Sequence, residues 1–264
     1  MNHYFDMVLP TWTSPKPVLH NDQMEEYVDL LPYNTFHIAS TARYFVRVQY
    51  LAQIEALVQS PIFQTRPHFV LDGGSNILFA NDTYEGIVLK NEISGIETVS
   101  QDEKHTTLSV GGTVGAAPIQ NIGAYGVKLS DVLESLCAID LITGARRQMS
   151  NAECQFGYRD SAFKHTLQDV FIASVTLKLT NPGSHRLNTT YGSIRRILEN
   201  WGVQVPTVQS VADAVCLLRR SKLPDPELLG NAGSFFKNAV VDQIRGDVMD
   251  RFSIWLEFEV RIVT

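Results

Sequence analysis

The run FGYRDSAFK (156–164) alternates aromatic and ionisable side chains around Arg159 and Asp160. An arginine flanked by aromatic rings can hold a carboxylate through two parallel hydrogen bonds in a partly dry site. A structural ion pair between Arg159 and Asp160 is the alternative. The run therefore indicates either a carboxylate-binding arginine or a local charge pair.

A second segment, GNAGSFFKN (230–238), presents the hydroxyl of Ser234 beside two phenylalanines. A serine can donate a proton to a substrate if its surroundings supply a partner, but on a glycine-rich turn it commonly serves only the turn. The chain lacks the GxSxG elbow around this serine, which disfavours a hydrolase.

Two further glycine-rich segments favour backbone contact with a ligand. Gly73–Asn76 follows an apolar strand, and its N–H groups could bind an anion or could form a plain tight turn. Residues 111–126 hold five glycines and three alanines and no charged side chain. That composition indicates either backbone packed against a flat or phosphorylated group or a tightly packed structural turn. Neither segment is a GxGxxG or Walker loop.

Apolar periodicity predicts the elements that position these segments. Strands are predicted within 68–76, 86–91, 105–110, 134–143, 170–180 and 252–264, and helices at 49–60, 192–201 and 207–221. The strand at 170–180 alternates apolar and polar residues and is predicted to be half-buried. The last helix should begin at the N-cap Thr207. Its predicted buried stripe is Val208, Val211, Ala212, Val215 and Leu218.

Composition narrows the class of protein. The 264 residues carry a net charge of −6, which argues against binding to a nucleic-acid backbone. The three cysteines are far apart, so we expect neither a disulfide framework nor a metal site. No apolar run approaches the length of a membrane span, and the N-terminus has no basic start followed by an apolar stretch. We expect a cytoplasmic protein.

Seven segments occur in one order along the chain. They are NTFHIAS (34–40), GGSNILF (73–79), TVGAAPIQNIGAYGV (113–127), FGYRDSAFK (156–164), KLPDP (222–226), GNAGSFFKN (230–238) and LEFEVR (256–261). This ordered set resembles the UDP-N-acetylenolpyruvoylglucosamine reductase family, flavoenzymes that make UDP-N-acetylmuramate for peptidoglycan. The resemblance runs from about Asn34 to Arg261. The loop containing Tyr191 is similar to that of a subtype with a tyrosine-bearing insertion.

The resemblance implies an α+β fold of the FAD-binding vanillyl-alcohol-oxidase type in two subdomains, with a much reduced substrate domain. The implied division is an N-terminal extension at 1–33, a first FAD-binding subdomain at 34–91 joined by the C-terminal strand 252–264, a second at 92–222, and a remnant of the substrate-binding domain at 223–251.

The implied enzyme is a monomer that uses FAD, with NADPH as hydride donor and UDP-N-acetylglucosamine enolpyruvate as substrate. A hydride would pass through the flavin to C3 of the enolpyruvyl ether. Ser234 would protonate C2, while Arg159 and Glu259 would stabilise the enolic intermediate. The same resemblance places Tyr191, Lys222 and Asn238 on the diphosphate and uridine side of the substrate.

The FAD-binding loops are assigned in the same way. Their residues are Gly73, Gly74, Ser75, Asn76, Ala116, Ala117, Pro118, Ile119, Gln120, Asn121, Gly123, Ala124 and Tyr125.

Two stretches that the family normally carries are missing. Between Val110 and Thr113 a helix with a tryptophan and a loop like GLENLALIPG are missing, which weakens the expected flavin subdomain. Between Val241 and Phe252 ten residues replace most of the substrate domain. Ten residues span at most ~35 Å and cannot form a water-excluding lid. A degraded paralogue and a reading frame with internal segments removed stay open, as do a working reductase and a catalytically impaired FAD-binding remnant.

Overall fold

The computed structural model describes residues 24–112, 115–184, 187–191, 193–233 and 262–263. Within these ranges the strands are β1 (Met24–Asp29), β2 (Thr41–Val48), β3 (His68–Leu71), β4 (Leu78–Phe79), β5 (Thr83–Asn91), β6 (Ile96–Gln101), β7 (His105–Gly111), β8 (Gly123–Ala124), β9 (Val127–Lys128), β10 (Leu133–Asp140), β11 (Arg146–Ser150), β12 (Val170–Thr180) and β13 (Ile262–Val263). The helices are α1 (Leu51–Val58), α2 (Pro61–Thr65), α3 (Ala116–Ile119), α4 (Ile194–Asn200) and α5 (Val208–Lys222). This mixture confirms the predicted α+β class.

The first sheet has the order β1-β2-β5-β3, with β1 antiparallel to β2 and the other pairs parallel. The predicted N-terminal extension at 1–33 contains a strand of the first sheet, because β1 pairs with β2 from Met24 opposite Val46 to Asp29 opposite Thr41. The strand was not recognised because MEEYVD has few apolar residues and lies on a sheet edge, where most of its side chains stay partly exposed.

The second sheet is antiparallel throughout, in the order β11-β10-β12-β7-β6. β12 spans the predicted 170–180, but the expected half-burial is wrong for its first part. Residues 170–175 are buried on both faces, and only the second part shows exposed positions. The reason is that the first part of β12 lies between two apolar clusters, one on each face of the sheet.

A shared apolar core joins the two sheets. α1 presents the four residues that its periodicity predicted, Leu51, Ile54, Leu57 and Val58. They pack with Val46, Val48, Ile87 and Leu89 of the first sheet and with Ile139, Phe171 and Ala173 of the second. Burying each large aliphatic side chain stabilises the fold by roughly 1.5–3 kcal/mol. An ion pair between Arg146 of β11 and Glu55 of α1 closes the edge of this core.

α4 and α5 pack against each other as a helical hairpin. α5 begins at Thr207, whose hydroxyl accepts the N–H of Ser210 at 3.1 Å, as predicted for an N-cap. The predicted stripe is wrong at Val208 and Ala212, which are exposed. Ala214 takes the buried position and lies with Val211, Val215 and Leu218 against α4. The stripe is narrower than predicted because α5 packs mainly on this one short helix.

β13 is the described part of the predicted C-terminal strand 252–264. It pairs in parallel with β4, with Ile262 opposite Leu78 and Val263 opposite Phe79. The rest of that segment, and residues 234–251 before it, lie outside the described residues.

Candidate functional site

The Gly73–Asn76 turn follows directly from β3 and is mostly exposed, with only Gly74 buried. Gly74 has φ +63°, and a Cβ at this position would lie 1.8 Å from the carbonyl oxygen of Tyr33. Its own carbonyl accepts the N–H of Thr35 at 3.2 Å. The turn is therefore locked on one side by the 33–35 backbone, whereas a Cβ on Gly73 would meet nothing within 4 Å.

The second glycine segment begins beside the first. A Cβ on Gly115 would lie 3.1 Å from Oδ1 of Asp72 and 3.1 Å from the carbonyl of Ile172, so a side chain there would require its neighbours to shift by a few tenths of an ångström. The amide of Asn91, which is 1% exposed, donates to the carbonyls of Gly112 (2.8 Å) and Ile172 (3.1 Å). The ends of β3, β5 and β7 thus meet the first residues of β12 at one junction.

The same junction lies beside the first of the two stretches that the family pattern predicts. The N–H of Gly115 donates to the carbonyl of Gly112 at 2.7 Å. α3 begins at the residue after Gly115.

Lys90 forms a hydrogen bond with the residue that precedes the first glycine turn. Its Nζ donates to the carbonyl of Asp72 at 2.6 Å. Burial lowers the pKa of Lys90, and the neighbouring carboxylates of Asp72 and Glu92 oppose that decrease. The Lys90 ammonium is therefore hydrogen-bonded to Asp72, the residue between β3 and the first glycine turn.

The side chain of Arg159 contacts the second glycine segment. Its guanidinium donates from Nη1 to the carbonyl of Asn121 at 3.3 Å and from Nη2 to the carbonyl of Gly123. Its Cζ lies 5.7 Å from the centre of the Tyr158 ring. The structure thus brings together a predicted catalytic residue and two predicted cofactor-binding residues.

The turn that carries Arg159 is closed by a hydrogen bond from the N–H of Gly157 to the carbonyl of Asp160, at 2.9 Å. The predicted alternative, an ion pair of Arg159 with Asp160, is not the pairing seen, because the Asp160 carboxylate pairs with Nε2 of His165 at 2.9 Å. The hydrogen bond from His165 is the largest cause lowering the pKa of Asp160. Nζ of Lys164 donates to the carbonyl of Arg159 at 3.2 Å.

Tyr191 reaches the end of the same glycine segment. Its ring meets that of Tyr125 edge to face, with 5.6 Å between centroids. Tyr125 itself packs against the core of the α4–α5 hairpin, beside Ile194 and Leu198. A residue predicted to bind substrate therefore contacts a residue predicted to bind cofactor.

The other predicted substrate and catalytic residues are only partly described. Lys222 is exposed in the last turn of α5. Ser234, Asn238 and Glu259 lie outside the described residues.

The chain that leads to Ser234 approaches the Thr35 loop. The N–H of Asn231 donates to the carbonyl of Thr35 at 2.8 Å, and a Cβ on Gly230 would lie 2.2 Å from the carbonyl of Phe36. The signature segments NTFHIAS and GNAG are therefore adjacent, and the first of them also contacts Gly74.

Sequence reasoning missed three polar residues that hold the site together: Asp72, Asn91 and Ser161. Asn91 and Ser161 are each 1% exposed, and the Ser161 hydroxyl donates to the carbonyl of Ile119 at 2.8 Å. A polar residue ending the apolar run GIVLKN was the available signal for Asn91, since buried amides are retained for their hydrogen bonds.

Two surface clefts are lined by residues other than those predicted to bind the cofactor. One is lined by β11 and the 162–167 region and includes Met149, and the other lies by α4 and includes Leu198. Within the described ranges no three His, Cys, Asp or Glu side chains group to hold a metal ion.

Comparison with known proteins identifies the chain, although no family model matches it. It is 37% identical over 254 residues to UDP-N-acetylenolpyruvoylglucosamine reductase of Amoebophilus asiaticus, covering 86% of this chain and 74% of that protein. It is 41% identical over 250 residues to the protein of that name from Burkholderia vietnamiensis, covering 83% and 71%. The chain belongs to the UDP-N-acetylenolpyruvoylglucosamine reductase family.

A solved reductase shares the fold. The crystal structure of UDP-N-acetylenolpyruvylglucosamine reductase from Thermus caldophilus matches with a TM-score of 0.54 at 21% identity, covering 87% of this chain and 80% of that one. No helix among the described residues is long and apolar enough to cross a membrane.

The alignment to the Amoebophilus reductase also bears on the missing stretches. Since 86% of 264 residues is about 227, about 27 of the 254 aligned positions have a residue in that reductase and none here. Within the aligned region this chain is therefore shorter than the Amoebophilus reductase by about 27 residues.

Proposed function

We propose that the chain catalyses the NADPH-dependent reduction, through FAD, of UDP-N-acetylglucosamine enolpyruvate to UDP-N-acetylmuramate. The observation that carries the proposal is the seating of Arg159 on the carbonyls of Asn121 and Gly123 in a chain that belongs to this reductase family. The proposal includes the FAD-binding fold of the vanillyl-alcohol-oxidase type in two subdomains, a cytoplasmic location and a monomeric state.

The glycine segments fit a dinucleotide cofactor. Gly73, Ser75 and Asn76 are exposed on a turn whose other side is locked, and the second segment begins at Gly115, packed against Asp72 at the foot of that turn. Exposed backbone N–H groups on such a turn suit a diphosphate, and the small residues at 115–117 suit a flat ring system. Bound FAD would supply the hydride chemistry.

Arg159 holds the substrate carboxylate in this proposal. Two of its N–H groups are engaged by loop carbonyls, which fix the plane of the guanidinium and leave its other N–H groups for a carboxylate. A cation held in this way stabilises the negative charge that develops on the substrate. Ser234 donates the proton to C2, Glu259 assists, and Tyr191, Lys222 and Asn238 bind the nucleotide part of the substrate.

The test is purification of the full chain followed by measurement of bound flavin and of NADPH oxidation with and without the enolpyruvyl substrate. We expect a yellow protein and oxidation that depends on the substrate. A colourless protein that takes up no FAD at excess cofactor would refute the proposal.

A second candidate is a chain that binds FAD without turnover. The shortening of about 27 aligned positions favours it, because the family resemblance implies a flavin-flanking helix and loop between Val110 and Thr113, where this chain has only two residues. This candidate predicts flavin binding with no oxidation of NADPH above the substrate-free rate. Turnover at an ordinary enzymatic rate of about 1 per second or more would exclude it.

A further inference from the structure

The side chain of Asn121 is buried and hydrogen-bonded to the protein at both ends of its amide. It is 3% exposed, its Nδ2 donates to the carbonyl of Gly157 at 2.8 Å, and its Oδ1 accepts the N–H of Ser130 at 3.1 Å. A buried amide with both ends bonded to backbone has little capacity left for a ligand. This arrangement differs from the cofactor-binding role that the family pattern implies for the position.

The hydrogen bonds of Asn121 and Arg159 run in opposite directions between the same two segments. The Asn121 side chain bonds to the first residue of the 157–160 turn, and the Arg159 side chain bonds back to the Asn121 carbonyl. The pair therefore closes a ring of contacts between the second glycine segment and the turn, with the guanidinium at its edge.

The turn needs such support. Arg159 has φ +53° and Asn121 has φ +38°, both in the left-handed region. For arginine that conformation costs roughly 1–2 kcal/mol, so it persists only where neighbours enforce it, whereas asparagine adopts it more readily. The bond from Asn121 to Gly157 fixes one end of the turn, while the bond from Gly157 to the carbonyl of Asp160 fixes its width.

We propose that Asn121 is a positioning residue that sets the place of the Arg159 guanidinium, and that its side chain is not a ligand of the cofactor. The proposal rests on the proposed function, in which Arg159 holds the substrate carboxylate. A guanidinium displaced by a fraction of an ångström loses much of its effect on the reacting group, while backbone contacts to the cofactor are preserved.

The test compares two substitutions that each remove side-chain N–H donors. Asn121→Asp keeps an acceptor for Ser130, tolerates positive φ, and loses the donor to Gly157. Asn151→Asp is the matched control, because Nδ2 of Asn151 donates to the carbonyls of Ser130 (2.9 Å) and Leu133 (2.7 Å) without touching the Arg159 turn. Measured for each are flavin affinity, kcat and KM per bound flavin, and amide hydrogen exchange of residues 157–161 in the flavin-free chain.

For Asn121→Asp we expect flavin affinity within about twofold of the parent, a fall in kcat of about tenfold or more, and about tenfold faster exchange at 157–161. Asn151→Asp should leave kcat and this exchange unchanged. A tenfold loss of flavin affinity with normal kcat per bound flavin would make Asn121 a cofactor ligand and overturn the proposal. Equal effects in the two variants, or unchanged exchange in Asn121→Asp, would overturn it as well.

Failure of the proposed function gives a different result. If the parent chain binds no flavin or does not turn over, the proposed function fails, but the exchange comparison still decides whether Asn121 holds the Arg159 turn. Faster exchange confined to Asn121→Asp then supports the positioning role, and equal exchange in both variants rejects it.

Discussion

The guanidinium of Arg159 donates a hydrogen bond to the carbonyl of Asn121, 38 residues earlier in the chain. A second bond reaches the carbonyl of Gly123. The guanidinium of a candidate catalytic residue is therefore hydrogen-bonded to the backbone of the candidate cofactor loop. Any change that moves the loop also moves the cation.

Replacing Arg159 by lysine should separate cofactor binding from catalysis. A single ammonium cannot reproduce the planar fork that meets both loop carbonyls and a carboxylate. We expect Arg159→Lys to retain flavin and to lower kcat about 100-fold, measured as substrate-dependent NADPH oxidation per bound flavin. Arg147→Lys alters the ion pair between Arg147 of β11 and Asp140 of β10 and should leave kcat unchanged. Loss of flavin in Arg159→Lys would place the arginine in the cofactor site instead.

Gly74→Ala should destabilise the chain strongly. The new methyl would meet the Tyr33 carbonyl at 1.8 Å in addition to the strain of φ +63°. Gly183→Ala is the matched control, since φ is +89° there and nothing lies within 4 Å. We expect a loss of about 1 kcal/mol for Gly183→Ala and more than about 3 kcal/mol for Gly74→Ala in urea-induced unfolding. Similar losses in the two variants would show that the turn relaxes around the methyl.

Asn91 should be a major contributor to stability. Asn91→Leu keeps the branched shape and the number of side-chain heavy atoms but leaves the buried carbonyls of Gly112 and Ile172 without this donor. We expect the free energy of unfolding to fall by about 2–4 kcal/mol in a urea titration. Gln209→Ala removes an exposed hydrogen bond from the Gln209 side-chain amide to the Asp213 carboxylate and should lower the free energy of unfolding by no more than about 0.5 kcal/mol. A small effect at Asn91 would mean that the junction rearranges.

The Asp160–His165 pair should make the free energy of unfolding depend on pH in the acid range. The hydrogen bond from the His165 imidazole lowers the pKa of the Asp160 carboxyl in the folded protein. The pair therefore stabilises the fold fully above the ordinary carboxyl pKa of about 3.9, and this stabilisation is lost as the pH falls through the lower folded-state pKa. We expect His165→Ala to flatten the decline of unfolding free energy between about pH 5 and pH 2.

His105→Ala is the control for this pH series. The pKa of Asp102 is lowered first by the backbone N–H of Lys104 and then by that of His105, which the substitution leaves in place. Its acid decline should therefore match that of the parent protein. An unchanged decline in His165→Ala would show that the imidazole does not stabilise the Asp160 carboxylate.

Local elements and family membership could be predicted from the sequence. The buried stripe of α1 and the Thr207 cap of α5 depend on residues within four positions of one another, so periodicity and capping rules are sufficient. Ordered glycine-rich motifs were enough to name the family, which the identity to the Amoebophilus reductase confirms.

Only the tertiary structure decided how those motifs meet. No local pattern shows that Met24–Asp29 adds a strand to the first sheet, since few of its residues are apolar and its pairing with β2 exists only in the folded sheet. The guanidinium of Arg159 bonds to the carbonyls of Asn121 and Gly123, far from it in sequence, rather than to the neighbouring Asp160. The engagement of both ends of the Asn121 amide follows from which buried donors find acceptors in the packed chain. Hydrogen-bond satisfaction in a packed interior is a property of the whole fold, which spacing along the sequence does not contain.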